Sequence, residues 1–254
     1  RIEYFEDLFR KVKEAFPAIH LKVFTMVEIG YYAKVSGLSV EAFLDRCVAA
    51  GLESCPGGGA EIFDEEVRAE ICIGKKSADV WLRNAEICHA RGIPTNCTML
   101  YGHIERAEHR VDHLLRLRDL QDRSVAGGRA RFLAYIPLAY QIENNELSEK
   151  YELHETTGTA DLREIAVARL LLDNVAHVKA YWVMISEGLA QVGLSYGADD
   201  LDGTIVEEEI AHDAGATTPQ SLSKAELRRL ITEAGFEPVE RDNLYRELEA
   251  AAAT

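Results

Sequence analysis

Short runs of β-prone residues alternate with longer helix-periodic segments along almost the whole chain, and this alternation limits the folds open to it. The predicted strands are HLKVFT (20–25), LESC (52–55), TNCTML (95–100), RFLAYIPL (131–138), HVKAYWV (177–183) and LDGTIV (201–206). Strands that alternate with helices pair in parallel, because each helix returns the chain to the same end of the sheet. The alternation therefore predicts an α/β protein built from about six parallel strand–helix units.

The residues that follow these strands favour a barrel over an open sheet. Polar or aromatic side chains end or follow many of the strands: Thr25, Glu28, Glu61, Tyr101, His103, Tyr181, Trp182 and Glu207. A parallel barrel carries its reactive groups at the carboxyl ends of many strands, whereas an open sheet favours one switch point. We therefore predict a partial, TIM-like (β/α)8 barrel over residues 1–210 and a C-terminal loop and helix over residues 211–254.

Charge and cysteine content exclude several classes of protein. The formal net charge of −15 argues against a nucleic-acid partner, because that affinity comes from clustered Lys and Arg. No apolar run approaches the ~20 residues that cross a bilayer, so no membrane segment is predicted. The five cysteines, at positions 47, 55, 72, 88 and 97, form no CxxC pair and indicate reduced thiols in a cytoplasmic protein.

The stretch CPGGGAEIF (55–63) contains three consecutive glycines, Gly57, Gly58 and Gly59. Glycine loses more conformational freedom on folding than any other residue, so such a run needs a physical reason. The run lacks the GK[ST] of a P-loop and the spacing of a dinucleotide-binding fingerprint. Directly after a strand it would form a bare backbone wall with free N–H groups beside Glu61, suited to a flat or carboxylate-bearing ligand. A tight turn that needs positive φ is the alternative.

Three histidines near the third strand raise the question of a metal site. His109 and His113 lie one helical turn apart, but no further ligand lies close to them in sequence. We therefore expect an amphipathic helix with solvent-facing histidines rather than a metal centre. His103 lies in the loop after the strand and is better placed for contact with a substrate.

The fifth and sixth strands carry charges that a barrel interior would not tolerate alone. Strand alternation puts Lys179 and Tyr181 on the same face, and Lys179 inside a barrel would need a carboxylate or a ligand beside it. A lysine exposed at the start of a core strand is the alternative. Among the acidic residues of this region, Asp202 is the least consistent with a solvent-exposed surface position. An aldolase or isomerase with Lys179 as Schiff-base nucleophile is a competing enzyme class.

Several ordered segments together resemble one family. They are PGGGAEIFD, TNCTMLYGHIE, EHRVDHLLRLRDLQD, ARLLLDN, KAYWVM and GADDLDGTIVEE. The chain resembles the radical S-adenosylmethionine (SAM) enzymes of the menaquinone (futalosine) pathway over essentially its whole length. DLDGT, His212 in EIAHDAGA and the TTPQ that follows point within the family to the aminodeoxyfutalosine synthases. The cyclic dehypoxanthine futalosine synthases and the deazaflavin-cofactor synthases share the glycine motif and stay open as alternatives.

The resemblance implies a cofactor, a substrate and an electron donor. Family members hold a [4Fe-4S] cluster through a CxxxCxxC loop, and the cluster binds SAM and cleaves it to a 5′-deoxyadenosyl radical. In the aminodeoxyfutalosine synthases this radical adds to 3-[(1-carboxyvinyl)oxy]benzoate. The residues expected to bind SAM and substrate are Thr25, Glu28, Gly57, Gly58, Gly59, Glu61, Thr98, Tyr101, His103, Tyr181 and Asp202.

The chain also departs from the family. It contains no CxxxCxxC, so the resemblance implies that the cluster loop and the first two strands precede Arg1 and that this chain carries strands three to eight. Gln141 and Ile142 stand where the family usually has His and Pro. On this interpretation the 254-residue chain alone is inactive, binds no iron and tends to aggregate. A barrel without a cluster that binds a partner without catalysis is the non-enzymatic alternative.

Overall fold

Eleven helices make up most of the regular structure in the part of the chain that the computed structural model describes, namely residues 1–72, 74, 77–203, 205, 213 and 217–248. They are α1 (Ile2–Ala15), α2 (Met26–Val35), α3 (Val40–Ala50), α4 (Glu65–Ile71), α5 (Ala78–Ala90), α6 (Ala107–Ala126), α7 (Glu146–Tyr151), α8 (Gly158–Leu171), α9 (Trp182–Ile185), α10 (Glu187–Gly193) and α11 (Lys224–Glu233). Within those described ranges, none of the helices is both long enough and apolar enough to cross a bilayer.

Three parallel strands form the centre of a sheet, and single bridges extend it on both sides. The strands are β1 (Thr95–Tyr101), β2 (Phe132–Ala139) and β3 (His177–Val178), in that order. Isolated parallel bridges join Lys22 to Ser54, Cys55 to Thr95 and Lys179 to Asp200. Six chain segments therefore pair in parallel in the order of the sequence, and we number them 1 to 6 from Lys22 to Asp200.

This arrangement confirms the predicted α/β class with six parallel units, although two predicted strands are shorter than expected. Segment 5 ends as a strand at Val178, and Trp182 begins α9 instead of continuing an alternating strand. Segment 6 pairs at Asp200, just before the predicted run 201–206. Asp202 has a φ of 73°, so the chain turns at this point. Residues 204 and 206–210, with Glu207, and His212 lie outside the described residues.

Small polar side chains fix where the connecting helices begin. Ser39, Asp64 and Thr157 each accept a hydrogen bond from the backbone N–H three residues further on, at the starts of α3, α4 and α8. Ser223 and Glu226 form a reciprocal capping box at the start of α11. Each such cap contributes about 1 kcal/mol, because it satisfies an N–H group that the helix itself leaves unpaired.

The sheet is covered on the side that faces α8. Tyr101 and Tyr135 are fully buried there, and their hydroxyls donate to Asp161 at 2.9 Å and to Glu164 at 3.2 Å. Because successive strand residues alternate between faces, Thr98 lies on the opposite side, which we call the inner face. The inner face of a parallel barrel is the side that surrounds its central cavity.

The histidines of α6 correct one expectation. His113 is not solvent-facing: it is fully buried, stacks on Phe63 with ring centroids 3.8 Å apart, and donates from Nε2 to the carbonyl of Thr98 at 3.0 Å. Burial lowers the pKa of His113 to about 3, so the ring is neutral. The side chain of His109 is only 13% exposed and lies 4.0 Å from Asp64. His109 Nδ1 accepts a hydrogen bond from Arg106 N at 3.2 Å, so this ring caps the start of α6.

Candidate functional site

The glycine loop, which we define as residues 57–63, follows segment 2 at the carboxyl end of the sheet. All seven of its carbonyl oxygens accept a hydrogen bond from elsewhere in the protein. Gly57 accepts from Thr98 Oγ1 at 2.9 Å, and Gly58 accepts from Trp81 Nε1 at 3.2 Å. The Arg68 guanidinium donates to three carbonyls, those of Gly59 (3.3 Å), Ala60 and Ile62 (3.0 Å). Glu61 accepts from Leu100 N at 2.8 Å, and Phe63 accepts from Arg116 Nη1 at 3.1 Å. The protein therefore fixes the direction of every peptide group in the loop.

Protein atoms occupy the space that side chains on the three glycines would need. An added Cβ would lie 2.5 Å from Asn96 O at Gly57, 3.0 Å from Thr25 Cγ2 at Gly58, and 2.5 Å from Val27 Cγ2 at Gly59. Gly59 also has a φ of 85°, which favours glycine whatever the space. Packing against the start of α2 and against β1 thus explains the glycine run, and direct contact of these glycines with a ligand stays a prediction.

The N–H groups of the loop differ from its carbonyls. Among the described residues, no acceptor pairs with the N–H groups of Gly58, Gly59 and Ala60. Ala60 is fully buried, and buried N–H groups are nearly always paired in native proteins. Gly59 and Glu61 both have positive φ, a backbone arrangement that forms anion-binding nests. These groups can receive an oxygen of a ligand, as the predicted bare wall requires.

Thr25 and Glu28 cap α2. Glu28 Oε2 accepts hydrogen bonds from Thr25 N at 2.8 Å and from Thr25 Oγ1 at 2.9 Å, and Thr25 Oγ1 accepts from Glu28 N at 3.3 Å. The sequence TMVE, in which Thr precedes Glu by three positions, is the signal of this capping box. The pair lies beside the glycine loop through the contact of Thr25 with Gly58, but its polar groups already serve the helix.

His103 lies in the turn after β1, with both ring nitrogens close to protein oxygens. Nε2 lies 3.1 Å from Leu100 O, and Nδ1 lies 3.1 Å from Glu105 Oε2. Glu105 also accepts hydrogen bonds from the N–H groups of Gly102 and His103, each at 2.8 Å. Burial lowers the pKa of His103, and the carboxylates of Glu105 and Glu61 oppose this effect. These contacts close the turn, and a role of His103 toward substrate stays a prediction.

The lysine cluster, Lys179, Asp200, Asp202 and Arg241, joins segments 5 and 6 to the C-terminal part of the chain. Lys179 is 4% exposed, and its Nζ contacts Asp202 and lies 3.7 Å from Asp200. Arg241 donates to both oxygens of Asp200, at 2.7 and 3.0 Å. Burial lowers the pKa of Lys179 to about 7. Burial would raise the pKa of Asp200, but Lys179 and Arg241 lower it. Lys179 thus has the carboxylate partners that an interior position demands.

Two further predicted residues, Tyr181 and Asp202, follow segments 5 and 6. Tyr181 is partly buried and precedes α9. Asp202 lines a cleft of about 530 Å³ between segment 6, α11 and the chain from 236 to 248, and no residue of the glycine loop lines that cleft. Gln141 donates to the carbonyl of Met184 at 3.3 Å, which ties the loop after β2 to α9.

The structure therefore gathers some predicted residues and separates others. Those that meet around the glycine loop are Thr25, Glu28, Gly57, Gly58, Gly59, Glu61, Thr98 and His103. Tyr101 points to α8 instead, and Asp202 belongs to the lysine cluster. The sequence analysis missed Arg68, Trp81 and Arg241, because a single Arg or Trp within a helix or loop gives no motif that distinguishes it from a surface or core residue.

The cysteines do not fit an iron–sulfur cluster. All five are buried as free thiols, and burial raises the pKa of Cys47 to about 12, whereas cluster ligands are thiolates. In the described part of the chain, no group of three or more His, Cys, Asp and Glu side chains could hold a metal ion. The glycine loop, in contrast, suits the carboxylate of an amino-acid ligand such as SAM through its unpaired N–H groups.

Comparison of the sequence with known proteins identifies related enzymes. A family model described as the CofH/MqnC C-terminal region matches residues 129–253. Aminodeoxyfutalosine synthase from Thermus thermophilus is 50% identical over 246 residues, which cover 96% of this chain and 65% of that protein. The 5-amino-6-(D-ribitylamino)uracil–L-tyrosine 4-hydroxyphenyl transferase of Methanococcoides burtonii is 37% identical over 253 residues, which cover 98% of this chain and 69% of that protein. The chain thus spans less than two thirds of the Thermus relative.

A solved structure supports the barrel. Methylornithine synthase (PylB) superposes with a TM-score of 0.63 over 94% of this chain and 64% of its own, at 15% sequence identity. That likeness concerns the fold alone, and it confirms the predicted TIM-like architecture. The match to the CofH/MqnC model and the identity to the two synthase and transferase relatives show that this chain belongs to the radical SAM family that contains the menaquinone-pathway (futalosine) enzymes.

Proposed function

We propose that this chain is the ligand-binding part of a cytoplasmic radical SAM transferase. The enzyme would join the 5′-deoxyadenosyl group of SAM to 3-[(1-carboxyvinyl)oxy]benzoate, release methionine and carbon dioxide, and form aminodeoxyfutalosine. The observation that carries the proposal is the glycine loop, with every carbonyl held and three N–H groups unpaired, in a chain 50% identical to an aminodeoxyfutalosine synthase. Residues 1–210 would supply strands three to eight of the barrel. A [4Fe-4S] cluster, reduced by an electron donor, would generate the radical.

The residues of this chain would bind and orient rather than exchange protons. Radical addition needs few acid–base groups, because the protein must position two reactants and exclude water. The unpaired N–H groups of Gly58, Gly59 and Ala60 would hold a carboxylate. Glu61 would accept a hydrogen bond from a ribose hydroxyl. Thr98 and its neighbours on the inner face would form the wall against which the substrate packs.

The cluster ligands would lie on polypeptide outside residues 1–254. This chain spans only 65% of the Thermus relative, and its buried cysteines do not fit a cluster. The experiment that tests the proposal is therefore made on the full-length enzyme with its cluster reconstituted. Incubation with SAM, the enolpyruvyl benzoate and a reductant is expected to yield aminodeoxyfutalosine, detected by mass spectrometry. Absence of iron after reconstitution, or absence of product, would contradict the proposal.

Replacement of Glu61 by Gln tests the residue assignment. The loss of one charge-assisted hydrogen bond is expected to raise the Kd for SAM about tenfold, which corresponds to about 1.4 kcal/mol. Glu66→Gln is the matched control, because Glu66 lies exposed on α4. Unchanged SAM affinity and unchanged turnover in Glu61→Gln would remove Glu61 from the site.

A second candidate function is that of the 4-hydroxyphenyl transferases, because the Methanococcoides relative covers 98% of this chain at 37% identity. The same enzyme preparation can be incubated with tyrosine and 5-amino-6-(D-ribitylamino)uracil instead. We expect no product from this pair. Formation of the transferase product, without aminodeoxyfutalosine from the enolpyruvyl benzoate, would reverse the order of the two candidates.

A further inference from the structure

Three side chains, of which Thr98 alone belongs to the predicted site, control the orientation of the glycine loop. Thr98 comes from β1, Trp81 from α5 and Arg68 from α4, and together they bind the carbonyls of Gly57, Gly58, Gly59, Ala60 and Ile62. Thr98 and Arg68 are 5% and 3% exposed, and Trp81 is 2% exposed. Three polar groups brought from three elements to one backbone turn form a built clamp, which we call the carbonyl clamp.

Arg68 is the unusual member of the carbonyl clamp. Its guanidinium binds three backbone carbonyls in a stretch of four residues, which uses the forked geometry that lysine lacks. Burial of a guanidinium is costly unless its N–H groups are well satisfied. Glycine turns form without a buried cation, so closing a turn would not by itself account for the desolvation cost of Arg68.

The carbonyl clamp also fixes the N–H groups that belong to the same peptide planes as the bound carbonyls. In a trans peptide the N–H points opposite to the carbonyl that precedes it, so fixing the carbonyls of Gly57, Gly58 and Gly59 fixes the N–H groups of Gly58, Gly59 and Ala60. These are the N–H groups that pair with no acceptor among the described residues. The positive charge of Arg68 on the carbonyl side further polarises these peptides toward donation.

We propose that Arg68, Trp81 and Thr98 are positioning residues that aim the N–H groups of Gly58, Gly59 and Ala60 at a carboxylate of the bound ligand. The inference rests on the proposed function, in which both reactants bear carboxylates, SAM on its methionine part and the enolpyruvyl benzoate on both ends. The carbonyl clamp supplies preorganisation: the donors are held in place before the ligand arrives, so binding does not have to order them.

The test uses the reconstituted full-length enzyme and pairs of probes with and without the carboxylate. S-adenosylhomocysteine is compared with its decarboxylated analogue. The enolpyruvyl benzoate is compared with 2-phenoxyacrylate, which lacks the ring carboxylate, and with 3-(vinyloxy)benzoate, which lacks the enolpyruvyl carboxylate. Thr98→Val, Trp81→Phe and Arg68→Lys each remove clamp donors and keep most of the side-chain volume. Thr95→Val is the matched control, since Thr95 is a buried threonine of the same strand that bonds His89 instead of the loop.

We expect each clamp variant to raise the Kd of one carboxylate-bearing probe about tenfold and to change the Kd of its truncated partner less than about twofold. The probe pair that responds identifies which reactant the loop holds. Hydrogen exchange at Gly58 and Gly59, which are only partly buried, should be fast in the free enzyme, slow with the responding probe, and fast in both states of Arg68→Lys. Thr95→Val should behave as the wild type does.

Two results would overturn the inference in distinguishable ways. Equal weakening of the full and the truncated probe, in clamp variants that melt near the wild-type temperature, would assign Arg68, Trp81 and Thr98 a structural role only. Protection of the amides of Gly58 and Gly59 in the free enzyme would show that they are already paired. Failure of the wild type to bind any probe would instead remove the proposed function itself.

Discussion

Burial, rather than pairing with a charge, sets the protonation state of two histidines beside the sheet. His89 is fully buried between Ser124 and Thr95, at 2.8 and 3.0 Å, and burial lowers its pKa to about 4. His113 has a pKa lowered to about 3 for the same reason. Both rings are neutral at physiological pH and act as hydrogen-bonding core residues.

Acidification should therefore destabilise the protein through His113. The unfolded chain binds a proton at the ordinary His pKa of 6.5, whereas the folded chain binds it only near pH 3. Between these values the unfolded state carries more protons, so stability falls as the pH is lowered. From pH 7 to pH 5 this single group is expected to cost about 2 kcal/mol. Urea unfolding at the two pH values measures the difference.

The variant His113→Gln isolates this contribution, because Gln keeps a donor for the carbonyl of Thr98. The loss of stability between pH 7 and pH 5 should shrink by about 2 kcal/mol in His113→Gln. The exposed His154 provides the control, and His154→Gln should keep the wild-type difference. An identical pH dependence in His113→Gln and the wild type would refute the explanation.

At the scale of elements, the glycine loop is held by the start of α2, by β1 and by side chains from α4, α5 and α6. Gly57 lies against the backbone of β1, where an added Cβ would sit 2.5 Å from Asn96 O and 2.8 Å from Cys97 N. Backbone cannot move aside as a side chain can. The close approach of the loop to β1 therefore depends on this single missing methyl group.

Gly57→Ala is accordingly expected to destabilise the protein by about 1–3 kcal/mol, the usual cost of overpacking a filled site. Thermal and urea unfolding measure the change. Gly188→Ala is the control, since Gly188 lies in α10 with nothing within 4 Å of an added Cβ and is expected to gain up to about 1 kcal/mol. Equal stability of Gly57→Ala and the wild type would mean that the loop tolerates displacement from β1.

The sequence predicts the elements better than their ends. Alternation located five of the parallel segments and placed the sixth one residue after its pairing position at Asp200, because hydrophobic runs and helix periodicity are local properties. The ends of segments 5 and 6 could not be predicted, since they depend on Asp202 in a positive-φ turn and on Arg241, which binds Asp200 from 41 positions away. Around the site, the spacing of Thr25 and Glu28 predicts a capping box. The role of Arg68 could not be predicted, because it depends on three backbone carbonyls that only the folded loop brings to the guanidinium.

In the whole molecule, the two ends of the sheet contact different parts of the chain. The carboxyl ends of the segments carry the glycine loop, whereas the C-terminal part of the chain reaches the opposite end. Tyr245 stacks on His177, the first residue of β3, with ring centroids 4.3 Å apart, and Arg241 lies 4.5 Å from the centre of the same tyrosine ring. The lysine cluster thus ties residues 236–248 to the amino end of the sheet.

Arg241→Met should release this tie. Its removal leaves the largely buried Asp200 with Lys179 as its cationic partner, and breaking one side of a buried ion pair costs about 3 kcal/mol or more. Limited proteolysis should then cleave the chain after α11 faster than in the wild type. Arg246→Met is the control: Arg246 is 73% exposed in its pair with Asp242, and such surface pairs contribute at most about 1 kcal/mol. Similar stability of both variants would show that the tie contributes little.

The pairing of each segment with the one before it has a consequence for synthesis. A ribosome releases the chain from its amino end at about 5–20 residues per second, so each emerging strand finds its neighbour already outside the exit tunnel. Phe132, for example, pairs with Thr95, which emerges a few seconds earlier at that rate. Unit after unit can be added to one growing edge, and no earlier pair has to open to admit a later one.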